Sequence, residues 1–149
     1  MATYDYGGVK FNYPDDWELS EDEDDAGQAS IHVQSPATAF WSLNLAAGRD
    51  EPAPLFEAIA EALESEHGPV DRITPEITDP LGGQPAAAET FEFVVHELPA
   101  VAEARVATFE NATGPDRTAL VLWQYADAES DEVEVLLERM TASLTVGAA

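Results

Sequence analysis

Between Thr118 and Tyr125 the chain reads Thr-Ala-Leu-Val-Leu-Trp-Gln-Tyr, its most strongly apolar run. In an extended strand successive side chains alternate, so Leu120 and Leu122 face one way while Val121, Trp123 and Tyr125 face the other. A strand apolar on both sides needs cover on both sides, which predicts a central strand in a layered domain.

Alternation recurs upstream. Val9, Phe11 and Tyr13 interleave with Lys10 and Asn12 as a half-buried strand ended by Pro14-Asp15-Asp16, after which Trp17 and Leu19 are expected to fold back on it. Ile31 and Val33 interleave with His32 and Gln34, and Trp41, Leu43 and Leu45 with Ser42 and Asn44, predicting two adjacent antiparallel strands. Asp50-Glu51-Pro52 opens a helix, Asp50 being the expected N-cap, with Leu55, Phe56, Ile59, Ala60 and Leu63 on one stripe and Gly68-Pro69 ending it. Ile73 and Ile77 read as an edge strand, because Pro75 cannot donate to a ladder. Leu81-Gly82-Gly83-Gln84-Pro85 is a reversal leading into a long strand, Ala87 to Val95. Leu98-Pro99 is the expected turn into its partner, Val101 to Glu110, and Asn111 to Arg117 connects to the central strand. Asp131 with Glu134 resembles a capping box, Ser130 being the alternative cap. Val133, Leu136, Leu137, Met140 and Leu144 then mark a last amphipathic helix before a tail, Gly147 to Ala149, expected to fray.

The 149 residues, 45% of them hydrophobic, carry no internal repeat and no compositional break, so residues 1–149 are read as one domain. The class is α+β: a central antiparallel sheet of about six to seven strands flanked by helices on both faces.

Charge adds what patterning cannot. Thirty acidic residues face six basic ones, a formal net charge of -24 dispersed over the chain. Such self-repulsion weakens a compact state at low ionic strength and is relieved as salt screens it, the pattern of a protein adapted to a salt-rich cytoplasm. A Lys/Arg footprint for phosphates is missing, which argues against direct nucleic-acid binding. No leader pattern opens the sequence and no run is long enough to span a membrane, so the expected address is cytoplasmic, with no membrane association. Cysteine is absent, excluding disulfides and thiolate chemistry.

Candidate chemistry is sparse. Ser20 to Gln28 is an acidic stretch expected to be a solvated hairpin loop. Asp22, Asp24 and Gly27 echo a calcium loop, but Ala26 and Val33 stand where ligands are needed. His67 suits a helix C-terminus, and His32 and His96 lie on separate strands. The nucleophile elbow, phosphate loop, dinucleotide fingerprint and His-Glu-x-x-His pattern are all missing, so no catalytic residue, cofactor or metal ligand is nominated. Trp41, Trp123, Phe91 and Phe93 fall at strand spacing, which makes them core side chains before it makes them a cleft.

The order of elements, with Tyr13-Pro14-Asp15-Asp16-Trp17, Trp41-Ser42-Leu43 and Leu81-Gly82-Gly83-Gln84-Pro85-Ala86 in sequence, resembles the Mog1/PsbP-like fold over nearly the whole chain. The resemblance implies an antiparallel sheet between helices. Functionally it implies protein binding more than catalysis, since members range from a factor binding a small nuclear GTPase to extrinsic photosystem subunits. The leading expectation is a non-catalytic protein-binding or accessory module whose partner and oligomeric state are unspecified. One alternative is a small-molecule or metal-dependent enzyme using His32 or His96 with carboxylates on the polar sheet face. Another is an acidic mimic of nucleic acid.

Overall fold

The computed structural model describes residues 1–23, 29–76, 78–110 and 114–147. Strands β1 (Ala2–Tyr6), β2 (Val9–Tyr13), β3 (Glu18–Glu23), β4 (Ala29–Gln34) and β5 (Phe40–Ala47) precede helix α1 (Pro52–His67). Next come β6 (Asp71–Ile73), β7 (Ala87–Val95), β8 (Leu98–Phe109) and β9 (Arg117–Ala126). A short 3-10 turn, helix α2 (Ser130–Ser143) and β10 (Thr145–Val146) close the chain. The protein is α+β, with a seven-stranded antiparallel sheet in the order β3-β4-β5-β9-β8-β7-β6 and a three-stranded sheet in the order β1-β2-β10.

The doubly apolar run forms β9, and β9 is the middle strand of the seven. Its alternate residues belong to two separate cores. Val121, Trp123 and Tyr125 pack with Trp41 and Leu43 of β5, Phe11 of β2, and Val133, Leu137 and Met140 of α2. Leu120 and Leu122 pack instead against a cluster built from Phe56, Ala60 and Leu63 of α1, Phe91 and Phe93 of β7, and Ala102, Ala104 and Val106 of β8. The alanines of β8 leave room for the larger side chains opposite them. Trp41 fixes α2 by a buried hydrogen bond, its Nε1 donating to Thr141 Oγ1 at 3.0 Å, while that hydroxyl donates to the Leu137 carbonyl at 2.8 Å. Both polar groups are thereby satisfied within a dry interior.

Several local expectations are corrected. Trp17 and Leu19 do not return to the first predicted strand, because β3 pairs with β4 while β2 pairs with β1 and β10. Ser20 to Glu23 continues β3 rather than opening a loop; residues 24–28, with the rest of the calcium-like spacing, lie outside the described residues. The turn between β7 and β8 is His96-Glu97 and not Leu98-Pro99. Both turn residues have positive φ, 49° and 68°, as a two-residue hairpin demands, although neither is the Asn or Gly usual there. Pro99 sits inside β8 opposite Val94.

The N-caps differ as well. α1 starts from Glu51, not Asp50, without a side-chain cap, its first turn set by proline. The capping box at Asp131 and Glu134 does not form: the preceding 3-10 turn leads directly into α2, so Asp131 falls in its first turn, where a carboxylate suits the helix dipole. At the other end Thr145–Val146 pairs with β2, and Gly147 N donates to the Gly8 carbonyl at 2.7 Å. Ile77, the second residue of the expected edge strand, lies outside the described residues, and β6 ends at Ile73 on the sheet edge.

Candidate functional site

The strand alternation that buries Ile31, Val33, Trp41 and Leu43 sends their polar neighbours to the other face. Register then sets them in rows. Ser30 lies opposite Asn44 and Asn44 opposite Leu120. His32 lies opposite Ser42 and Ser42 opposite Leu122. Gln34 lies opposite Phe40 and Phe40 opposite Gln124. Directly opposed residues in an antiparallel pair share a face, so these nine side chains form one surface over β4, β5 and β9. None is a carboxylate, in a chain holding thirty.

The α1 core reaches Leu120 and Leu122 and includes no residue of β4 or β5. His32 and Gln34 are exposed, Ser30, Phe40, Asn44 and Gln124 are half-buried, and Ser42 is buried. Local hydrogen bonds order part of the surface. Ser30 Oγ donates to Asn44 Oδ1 at 2.6 Å and lies 3.3 Å from His32 Nε2. Ser42 Oγ donates to the Leu122 carbonyl at 3.1 Å, and Gln34 Nε2 to the Ala39 carbonyl at 3.0 Å. What remains offered is uncharged hydrogen-bonding capacity beside the partly exposed Phe40 and Leu122.

The histidines stay apart. His32 is on β4, His96 is exposed in the β7–β8 turn, and His67 ends α1, stacked on Phe93 with ring centroids 5.3 Å apart and its Nε2 3.5 Å from Glu66. No group of three or more His, Asp or Glu side chains able to hold a metal occurs among the described residues. Trp41, Trp123, Phe91 and Phe93 are all buried in the cores.

Of the perturbed ionisable groups, Arg72 is raised by its bonds to Glu89 and Glu57 beside α1, while Tyr125 and Glu103 lie on the other face, near α2. Burial, and then the nearby Glu134, Glu103, Asp127 and Glu138, push the Tyr125 phenol up to about 12. Burial also raises the Glu103 carboxyl, against the opposing pull of Arg105. That guanidinium bonds Glu103 and Glu138, at 2.8 and 2.9 Å, and lies 4.7 Å over the Trp123 ring. Alternation reveals His32 and its neighbours in the sequence, but only the β5–β9 pairing brings Leu122 and Gln124 beside them.

The architecture thus defines an α+β protein built on an antiparallel sheet with one uncharged strand surface. No family model matches the sequence, and no curated protein matches it. Among solved structures it is similar to the crystal structure of LpqN, involved in cell envelope biogenesis of Mycobacterium tuberculosis, with a TM-score of 0.58 and 16% identity over 97% of this chain and 89% of that one. At that identity the likeness shows the fold alone.

Proposed function

We propose that this chain is a non-catalytic accessory module that docks a protein partner through the uncharged surface of β4, β5 and β9, in a salt-rich cytoplasm. The observation that carries the reading is the carboxylate-free set of rows from Ser30 to Gln124. Interface centres are depleted in charge, and a strongly acidic protein that keeps the β4–β5–β9 stretch of a face neutral, with Glu18 and Asp22 of β3 at its rim, avoids the cost of desolvating carboxylates at the centre. The occupant that fits is a neutral polar protein surface with an apolar spot for Phe40 and Leu122. The same reading takes the layering as a Mog1/PsbP-like sandwich with a helix on each face, supported by the division of alternate β9 residues between the α1 and α2 cores.

The test is affinity capture from host extract at the host's own ionic strength with three baits. These are the wild type, a His32→Glu/Gln124→Glu double variant, and Val135→Glu on the exposed side of α2. A partner retained by the wild type and by Val135→Glu, and lost from the double variant, is the expected result. Equal recovery by all three baits removes the docking surface. Fractionation of the host separates the cytoplasmic address from an envelope one, LpqN being involved in cell envelope biogenesis.

Salt adaptation is tested separately. The melting temperature should climb as KCl rises from about 0.1 M to a few molar, and a flat or falling curve shows that the acidity serves another end.

A further inference from the structure

Where the β1–β2 hairpin meets the ends of β3, β4 and β9 lies a cleft of about 520 Å³, centred on the face opposite the docking surface and touching that surface at Ser30, the partner of Asp22. Tyr4, Tyr6, Glu21, Asp22 and Arg117 line it over an apolar floor of Ile31 and Leu45. Arg117 is anomalous there. Its Nη1 is buried and makes no hydrogen bond, and no ion pair joins it to a described carboxylate. By contrast Arg49, Arg72 and Arg105 each hold an acid. The residue as a whole is half-buried, so the cost falls on that one enclosed N–H group, a charged donor without an acceptor. With thirty acids in the sequence, a structural partner was easy to supply.

We propose that this cleft binds a small zwitterion, whose carboxylate meets the Arg117 guanidinium and whose ammonium lies against Glu21, Asp22 and the tyrosine rings. Charge decides the class. A lone anion would satisfy Arg117 but meet Glu21, Asp22 and the field of a protein of net charge -24. A lone cation would suit the carboxylates and leave Arg117 Nη1 without an acceptor. A molecule with both groups answers each wall. A guanidinium is shaped for bidentate carboxylate binding, and an ammonium gains from aromatic faces as well as from acids. Tyr4 supports the cation end, its hydroxyl donating to Glu21 Oε2 at 2.9 Å and so orienting that carboxylate. Tyr6 is 68% exposed, so its ring stands at the mouth of the cleft.

The test uses the full-length protein at fixed KCl of about 2 M, where long-range repulsion is screened. The probes are L-leucine, gamma-aminobutyrate and epsilon-aminohexanoate, which separate the two charges by increasing distances, with butyrate and butylamine as single-charge controls. Calorimetry and the NMR signal of the Arg117 Nε–H group report binding. Saturable binding of at least one zwitterion, about tenfold or more tighter than both controls, is expected, moving the Arg117 signal. Arg117→Met should abolish it while leaving the ligand-free melting temperature unchanged or higher, because an unsatisfied charge has been removed. Glu21→Gln should weaken it severalfold. The proposal is overturned if no zwitterion saturates by about 10 mM, if butyrate binds as tightly, or if Arg117→Met lowers the melting temperature as a structural arginine would. Should that variant fail to fold, an unmoved Arg117 signal in the wild type overturns it equally.

Discussion

Two arginines fasten the two helices to the sheet by the same chemistry in different surroundings. Arg72 of β6 bonds Glu57 of α1 at 2.5 Å and Glu89 of β7 at 2.8 Å, its guanidinium carbon 6.0 Å from the Phe91 ring centre. Arg105 of β8 bonds Glu103 of its own strand and Glu138 of α2, over Trp123. Each is a cation held between a strand acid and a helix acid above an aromatic face. The Arg72 side chain is 31% exposed and that of Arg105 only 8%. Water and salt reach the first, so its attraction is screened; the second is set in low dielectric, where both its attraction and the penalty for breaking it are larger. The difference shows how an acidic chain with few cations can still use charge structurally when salt is high, by placing one where ions do not reach.

The comparison breaks most visibly at the buried clasp. Arg105→Ala leaves Glu103 beside Trp123 without its counter-charge and should cost about 3–5 kcal/mol. The loss, measured by denaturant unfolding, should be nearly the same at low and high KCl. A loss that shrinks with salt would place Arg105 in the same regime as Arg72. The neutral pin on the same helix supplies the next effect. Thr141→Val strands the Trp41 indole N–H in a dry core and should cost about 1–3 kcal/mol, also independent of salt.

Glu103 sharpens the contrast through pH. Its folded pKa is raised, burial being the larger cause, so its protonated form is favoured in the native state. That contribution is fully present below the unfolded carboxylate value and is lost as pH rises through the folded one. Stability attributable to Glu103 therefore increases on acidification from neutrality into the ordinary carboxylate range. The expected outcome is that Glu103→Gln flattens the slope of stability against pH in that window relative to the wild type at equal salt. An unchanged slope would mean that the strand acid is ionised at no cost.

Much of this architecture was legible where burial is symmetric or strictly alternating. β9 could be read because both its faces are apolar, and α2 because Val133, Leu137 and Met140 recur at helical spacing. β3 could not: only Leu19 is apolar within Glu18–Glu23, and pairing with β4 holds it extended despite its acids. β1 carries no such pattern because none of its residues is buried, and the His96-Glu97 turn has no signature because it lacks the usual turn residues while Pro99 stands nearby. Of the uncharged surface, alternation exposed His32 and Gln34, with Ser42 and Asn44, whereas Ser30 and the extension onto β9 depend on which strands are neighbours. The unsatisfied Arg117 Nη1 had no sequence signal, since its enclosure is a property of the folded surroundings.

The smallest effect is the one that isolates solvent. Arg72→Ala removes two ion pairs whose partners, Glu57 at 60% exposure and Glu89 at 11%, face different amounts of water. Exposed pairs contribute about 0.2–1 kcal/mol, and the helix link through Glu57 is the better screened of the two. Removing Arg72 should therefore cost about 1 kcal/mol at low salt and clearly less at about 2 M KCl, with the remainder assigned to the Glu89 contact. A cycle with Glu89→Gln reads that remainder directly, since coupling between Arg72 and Glu89 should survive salt while coupling between Arg72 and Glu57 does not. If both couplings vanish together, burial at the level of Glu89 gives no shelter from brine, and only a side chain as enclosed as Arg105 holds its charge contacts there.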